Sequence, residues 1–298
     1  MPELLPYTDE YKDGVLSVLK RDCWWMADKS KETVYKMITP MLKYQWSGDT
    51  DVKLSDVPFK YGAVLVDKSN VVGFFGMIYS YRHIEGQKLL VLAPTTWCID
   101  PEYRAHIFTV TAKLYGTADI VLDLTPIKSV LEMDIKLFGF NYFNDKLFVF
   151  KPVPALKKHE VNVKFFHEDS DIPDTEHKIF FKDHENRNIR YVSFECSGGT
   201  GSLFYKRRYI RKFNRPVWKK LFVVSVSNKK LFTSHLHEIV WAVQKHEKFL
   251  AAVEIDSHFT EGDFYHPFFN TKHVDRLMFS KEKLNIKPDF LYSELSIF

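Results

Sequence analysis

TTWCIDPEYRAHIF, residues 95–108, begins like the end of a buried strand and finishes like the start of a helix. Thr95, Thr96 and Trp97 suit a pleated surface, and Pro101 sits where a first helical turn tolerates proline. A strand that runs straight into a helix presents free amides and the positive end of the helix dipole. That geometry holds phosphate groups. The glycines expected in such a turn, which would allow close backbone approach, are missing.

Upstream, Asp9–Met26 reads as a helix, with Val15, Leu16, Val18, Leu19 and Cys23 on one stripe. Lys31–Tyr44 reads as a second helix that Pro40 should bend or break. The period then changes. Tyr61–Asp67 and Val71–Tyr79 form a hairpin around Lys68-Ser69-Asn70, and Lys88–Ile99 is a third strand. Downstream come a helix from Arg104 to Tyr115, an apolar strand over residues 119–124, a helix Lys128–Phe138 stopped by Gly139, and a closing strand over 147–152.

The proline- and lysine-rich stretch 151–160 reads as a boundary between a domain 1–152 and a domain 160–298. The second half has strand-like stretches at 161–166, 178–182 and 189–196, and a turn at 196–202. A strand at 221–226, a helix at 235–249, a strand at 249–255 and a last strand at 290–298 follow. The expected class is α/β (α+β), a mixed central sheet flanked by helices in each half.

The order of elements in the first half resembles the GNAT superfamily of acyl-CoA N-acyltransferases. The resemblance rests on Ile99-Asp100-Pro101-Glu102-Tyr103-Arg104, on LDLTP at 122–126, and on Leu137-Phe138-Gly139-Phe140. The wording PTTWCIDPEYRAHIF is similar to GNAT-like proteins of bacterial surface-polysaccharide gene clusters. The second half, with AAVEIDSHF and DFLYSELSIF, resembles a degenerate second GNAT-like domain, giving two in tandem. The resemblance implies acetyl-CoA or another acyl-CoA as donor, held by Thr96, Trp97 and Cys98 on the strand and by Tyr103, Arg104, Ala105, His106, Ile107 and Phe108 after it. Ala105, Ile107 and Thr109 occupy the family's glycine positions. The acceptor it implies carries an amine or a hydroxyl, as on a nucleotide-linked or lipid-linked amino sugar.

Acyl transfer needs a donor to the thioester carbonyl, a base for the acceptor proton and an acid for the leaving thiolate. The backbone near Thr96 to Cys98 is the candidate donor. Asp100, Asp123 and His106 are the candidate bases, each with a plainer reading as a cap or surface residue. The family's frequent acid, a Tyr four residues before the Gly of Leu-Gly-Phe, is replaced by Ile135, which leaves Tyr103 or Tyr115. That loss keeps a non-catalytic, ligand-binding or scaffolding reading open. Cys98 has no neighbouring His in sequence to activate it, so it reads as a buried strand residue and Trp97 as a wall.

YKRRYIRKFNRPVWKK, residues 205–220, carries eight basic residues and no acid. It reads as a solvated strand face or as a phosphate site, with Arg207, Arg208 and Arg211 available to a phosphorylated acceptor, the second domain walling the acceptor site. Nucleic acid ranks last, because the whole chain has a formal charge of only +4. His235-x-His237-Glu238 does not share a helical face, so no metal site is expected. Three widely spaced cysteines suggest free thiols in a reducing compartment. No secretory leader pattern and no long apolar run occur, so the expectation is a cytoplasmic chain, with peripheral attachment to a membrane face left open.

Overall fold

The computed structural model describes residues 1–298 except 24–25, 47–55, 152, 155–160, 185–186, 213–214, 249, 263, 265, 286–287 and 298. The chain divides into two compact units. Unit 1 comprises Met1–Asn141, Leu277–Ile286 and Tyr292–Phe298, and unit 2 comprises Tyr142–Arg276 and Lys287–Leu291. The division by contact therefore interleaves the two ends of the chain, where the sequence suggests a single cut at 151–160.

Unit 1 contains strands β1 (Glu3–Pro6), β2 (Ala63–Asp67), β3 (Asn70–Ile84), β4 (Gln87–Ile99) and β5 (Ile120–Asp123). Its helices are α1 (Lys12–Asp22), α2 (Lys31–Leu42), α3 (Ile107–Tyr115) and α4 (Lys128–Phe138). β1 to β4 form an antiparallel meander, and β5 joins β4 in parallel. The meander closes with two-residue turns. Lys68 and Ser69 lie at φ 46° and 69°, and Glu85 and Gly86 at φ 52° and 79°. Left-handed pairs of this kind match the twist of the strands they join. α1 packs on β3 and β4 and α2 on β3, burying Val15, Leu19, Val34 and Ile38 against Phe74, Phe75 and Ile78. Ser30 caps α2 by accepting the Thr33 amide at 3.1 Å. α2 continues through Pro40 to Leu42, so the proline neither ends nor interrupts it. Gly139, at φ 71°, ends α4 as expected.

One irregularity shapes β4. Gly76 on β3 faces Thr95 and Phe75 faces Trp97, so Thr96 is skipped by the register. This is a bulge, which bends its strand and increases local twist. Thr96 takes φ 51°, an outlying value for a β-branched residue. Gly76 is needed opposite it: a Cβ there would lie 2.4 Å from the Thr95 carbonyl oxygen and 2.3 Å from the Met41 sulfur.

Unit 2 contains β6 (Asn141–Phe150, from Tyr142 onward), β7 (Asn162–Phe166), β8 (Ile189–Cys196), β9 (Gly199–Lys212), β10 (Arg215–Val226) and β11 (Leu250–Asp256). Helices α5 (Thr175–Asp183), α6 (Lys229–Ser234) and α7 (Leu236–His246) accompany them. β7 to β10 are again an antiparallel meander, and β11 joins β10 in parallel. Unit 2 thus repeats the pairing pattern of unit 1. Each unit takes an antiparallel neighbour for its parallel strand from the other half of the sequence. β6 pairs with β11 in unit 2, and the end of β12 (Phe269–Ser280) pairs with β5 in unit 1 through Leu277 to Ser280.

Three expectations are corrected here. Residues 178–182 are helical, inside α5, which Asp174 caps by accepting the His177 amide at 2.8 Å. A short apolar run fits either a strand or a buried helix turn, and this cap decides it. The end of the chain is not a strand: Tyr292 turns left-handed at φ 58°, and α8 (Glu294–Ile297) follows. Finally, Cys23 and Cys98 are not free thiols but form a disulfide, while Cys196 remains free and buried. Among the described residues no helix is long and apolar enough to cross a membrane.

The bulge makes a stability prediction. Gly76→Ala should cost about 2–3 kcal/mol, because the Thr95 carbonyl belongs to backbone and cannot swing away. Urea denaturation followed by circular dichroism should show a lowered midpoint with helix and strand content intact.

Candidate active site

The parallel ladder between β4 and β5 consists of Val91 paired with Ile120 and Leu92 paired with Val121. Past Leu92 the strands part, and β4 passes through its bulge. A cavity of about 350 Å³ opens in the gap. Thr95, Thr96 and Trp97 line it from β4, Tyr115 from α3, Asp123 and Thr125 from β5 and the turn after it, and Ile127 and Val130 from the start of α4. Cys23, at the end of α1, lines it too.

Trp97 is a fixed wall. Its indole N–H donates to the Gly76 carbonyl at 2.9 Å, and its ring meets Phe75 edge-on at 5.3 Å and Tyr115 at 5.6 Å. The bulge leaves the Thr96 backbone without a partner residue on β3, beside the cavity.

A carboxyl pair lies beneath. Asp123 is 6% exposed and Asp134, on α4, is fully buried. The two share a hydrogen bond. Burial pushes Asp134 up to about 6, against the opposing pull of its hydrogen bonds with Asp123 and Tyr115. The Tyr115 hydroxyl donates to both Asp134 oxygens, at 3.2 and 3.4 Å. Burial, and after it the charges of Asp134 and Asp123, hold that phenol well above its ordinary value, so it keeps its proton.

The sequence-derived candidates separate into two groups. Thr96, Trp97, Tyr115 and Asp123 meet at the cavity. Cys98 lies in the disulfide behind it. The segment after β4 does not line the cavity. Asp100 is paired with Arg21 at 3.0 Å. Pro101–His106 curls into a tight 3-10 helix in which the Tyr103 amide donates to the Asp100 carbonyl and the Ile107 amide to that of Arg104. Amides folded back in this way are not presented to a ligand. The Tyr103 hydroxyl donates to Asp67 at 2.8 Å. Arg104, Ala105 and Phe108 are exposed, and His106 and Ile107 are half-buried. Asp100 and His106 do not line the cavity, and a curled 3-10 turn over 101–106 leads into the stretch 104–108 where an open phosphate cradle is expected from the sequence.

The basic stretch also turns inward. Arg207 donates through Nε to Glu247 at 2.7 Å, joined by Tyr205 at 2.8 Å and Lys219 at 3.2 Å. Burial would raise the Glu247 carboxyl, yet these partners hold it below its ordinary value. Arg208 stacks 4.4 Å over the Phe222 ring. Arg207 and Arg208 are thus structural partners within unit 2, and the Arg211 side chain lies outside the described residues. Unit 2 has its own hollow of about 480 Å³, bordered by Asn144, Ser257 and His258.

Asp134 was missed from the sequence. It lies on the same helix as Leu131, Ile135 and Phe138, which pack on the core, and the signal was an acid inside that apolar spacing. The Cys23–Cys98 bridge was missed because a sequence separation of 75 residues says nothing of proximity.

No protein-family model and no curated protein matches the sequence. Solved structures do. A candidate acetyltransferase of Pyrococcus horikoshii aligns over 99% of this chain and 95% of its own, with TM-score 0.55 and 12% identity. The chain has the GNAT fold. A GCN5-related N-acetyltransferase of Anabaena variabilis aligns over 93% of this chain and 72% of its own, with TM-score 0.53 and 13% identity. A candidate N-acyltransferase of Enterococcus faecalis gives 0.54 and 11% over the same shares. The mixed sheet with flanking helices expected from the sequence is the architecture the chain adopts.

The carboxyl pair predicts a pH effect on stability. Asp134 is raised above its unfolded value, so its contribution is fully present below about pH 4 and is lost as pH rises through 6. Asp134→Asn should relieve a cost on the order of 1–3 kcal/mol at neutral pH and none in acid. Thermal melts from pH 4 to 8 should show the two proteins converging at the acid end.

Proposed function

We infer that this GNAT-fold chain transfers an acyl group from an acyl-CoA thioester to an amine or hydroxyl, and that the reaction takes place in unit 1. The observation that carries the reading is the cavity between the parting ends of β4 and β5, with the bulge on one side and the Asp123–Asp134–Tyr115 cluster on the other. A thioester lying in this gap has its carbonyl beside the bulged backbone at Thr96, which can donate to the developing oxyanion. Asp123 accepts the proton that the attacking amine or hydroxyl gives up. Tyr115, still protonated, returns a proton to the departing thiolate, and the proton taken by Asp123 passes through Asp134 back to Tyr115 along their hydrogen bonds. Tyr115 thus takes the place of the tyrosine that Ile135 replaces. An amino sugar is the acceptor class to try first, on the strength of the sequence resemblance.

Unit 2 favours a single reaction centre. It repeats the parallel pair as β10 and β11, but beyond their ladder the Val224 carbonyl receives the Phe290 amide at 2.9 Å. The fully buried Phe290 ring packs against Phe222, Phe143 and Phe259. Asp256, which ends β11 as Asp123 ends β5, is ion-paired with Arg276 at 3.1 Å. We assign unit 2 a supporting role as a GNAT-like repeat whose strand-ending aspartate is committed to an arginine.

Two measurements test the reading. Calorimetry with acetyl-CoA should show binding, and Asp123→Asn should leave that binding unchanged while lowering kcat/KM by about 10²–10⁴-fold. With a hydroxyl or weakly basic amine acceptor, kcat/KM should rise with pH through about 6, where Asp134 ionises and can pass on the proton that Asp123 accepts. Turnover unaltered in Asp123→Asn would overturn the assignment of the base, and a chain that ignores acyl-CoA would overturn the donor. The closed turn at 101–106 adds a further expectation: an acyl-pantetheine should bind within about tenfold of the acyl-CoA, since a surface helix terminus contributes only about 0.3–1 kcal/mol to an anion.

A further inference from the structure

The disulfide between Cys23 and Cys98 joins the residue that ends α1 to β4, two residues past the bulged Thr96. Both residues are buried, at 6% and 7% exposed, but Cys23 is the half of the bridge that lines the cavity. On the reading given above, each turnover leaves a thiol in this same cavity: the pantetheine sulfur from which the acyl group has departed.

We propose that the disulfide is a thiol-exchange site, at which the thiol of coenzyme A attacks Cys23 and is captured as a mixed disulfide. The carrier thiolate attacks the Cys23 sulfur along the line of the existing bond. The Cys23–Cys98 bond breaks as the bond between Cys23 and the carrier sulfur forms, and the electron pair leaves on Cys98. Cys98 then takes up, through solvent, the proton that the carrier thiol gave up. One disulfide replaces another, so no oxidant or reductant is consumed. The return of Cys98 onto Cys23 reverses the step and releases the thiol. While the adduct persists the donor slot is occupied, so free carrier thiol competes with acyl donor covalently as well as by binding. Attack at Cys23 follows from position, because it is the half of the bridge that lines the cavity holding the carrier thiol. The pantetheine arm supplies selectivity by holding its thiol in the gap between β4 and β5, which raises its effective concentration at Cys23.

The test uses the full chain purified without reductant. It is mixed with coenzyme A at mildly alkaline pH under anaerobic conditions, quenched in acid, and examined as intact protein and as peptides. The expected result is a mass gain of one whole coenzyme A, removable by reductant, on the peptide containing Cys23, with Cys98 newly open to alkylation. Glutathione at the same concentration should label about tenfold less or weaker still, since it lacks the arm. Cys196→Ser should retain the adduct. Cys98→Ser, which has no bridge to exchange, should bind coenzyme A without becoming labelled. Labelling at Cys98 or Cys196, or equal labelling by glutathione, would overturn the proposal. Calorimetric binding of coenzyme A without any adduct defeats the exchange but leaves the donor assignment standing. Neither heat nor adduct removes both.

Discussion

Two hydrogen-bonded residue pairs hold β4 to β5, and the shortness of that ladder governs the rest of unit 1. A parallel pair that stayed in register to its end would leave no space. Here the bulge at Thr96 bends β4 where β5 is about to finish, and the gap that results is walled by whatever the flanking segments supply. Those segments supply opposite chemistries. β4 brings an irregular backbone and an indole fixed by a backbone carbonyl, while β5 and α4 bring two carboxyls. Gly76 permits the arrangement, because any side chain there would collide with the carbonyl that the bulge pushes across.

Unit 2 shows what the same pairing pattern looks like with the constraint relaxed. Its parallel ladder runs from Lys219 and Leu250 to Phe222 and Glu254, and a segment near the end of the chain takes up the next carbonyl of β10. The aspartate ending its parallel strand is buried, and burial raises its carboxyl even against the opposing pull of Arg276 and Asn144. Its hydrogen bonds with those two residues commit it to partners inside unit 2. In unit 1 the corresponding aspartate faces a cavity and meets a second acid instead of a guanidinium. A carboxyl satisfied by arginine is a poor proton acceptor. One hydrogen-bonded to a carboxyl that burial pushes up to about 6 can hand its proton on near neutrality, where a base is useful.

Much of this frame was legible in the sequence because it is carried by local signals: apolar stripes at helical spacing, a hairpin between two strand-like runs, a glycine closing α4. Asp123 was legible too, as an acid at the end of a short apolar strand. What could not be read depends on distance along the chain or on the direction of a side chain. The strands exchanged between the two halves come from residues far apart in sequence. Arg207 looked available because eight basic residues were counted, and it is not, because Glu247 lies beneath it. The 3-10 turn at 101–106 shows a subtler limit. Proline and a missing set of glycines fit either an open or a curled turn, and the Asp100 carbonyl accepting the Tyr103 amide selects the curled one.

That curled turn and a donor slot are compatible once their magnitudes are compared. An anion at an exposed helix terminus gains about 0.3–1 kcal/mol, and salt screens it further. Burying on the order of 200 Å² of a pantetheine arm contributes about 5 kcal/mol at ~25 cal/mol per Å². In the proposed reaction the arm and its thioester therefore outweigh the phosphates in positioning a donor, and they are the parts placed beside Thr96 and Asp123. On that proposal the closed turn costs affinity for the nucleotide end and leaves the placement of the reacting carbonyl to the cavity. Discrimination among donors would then fall on the cavity walls, where Trp97, fixed by Gly76 and braced by Phe75 and Tyr115, limits the space.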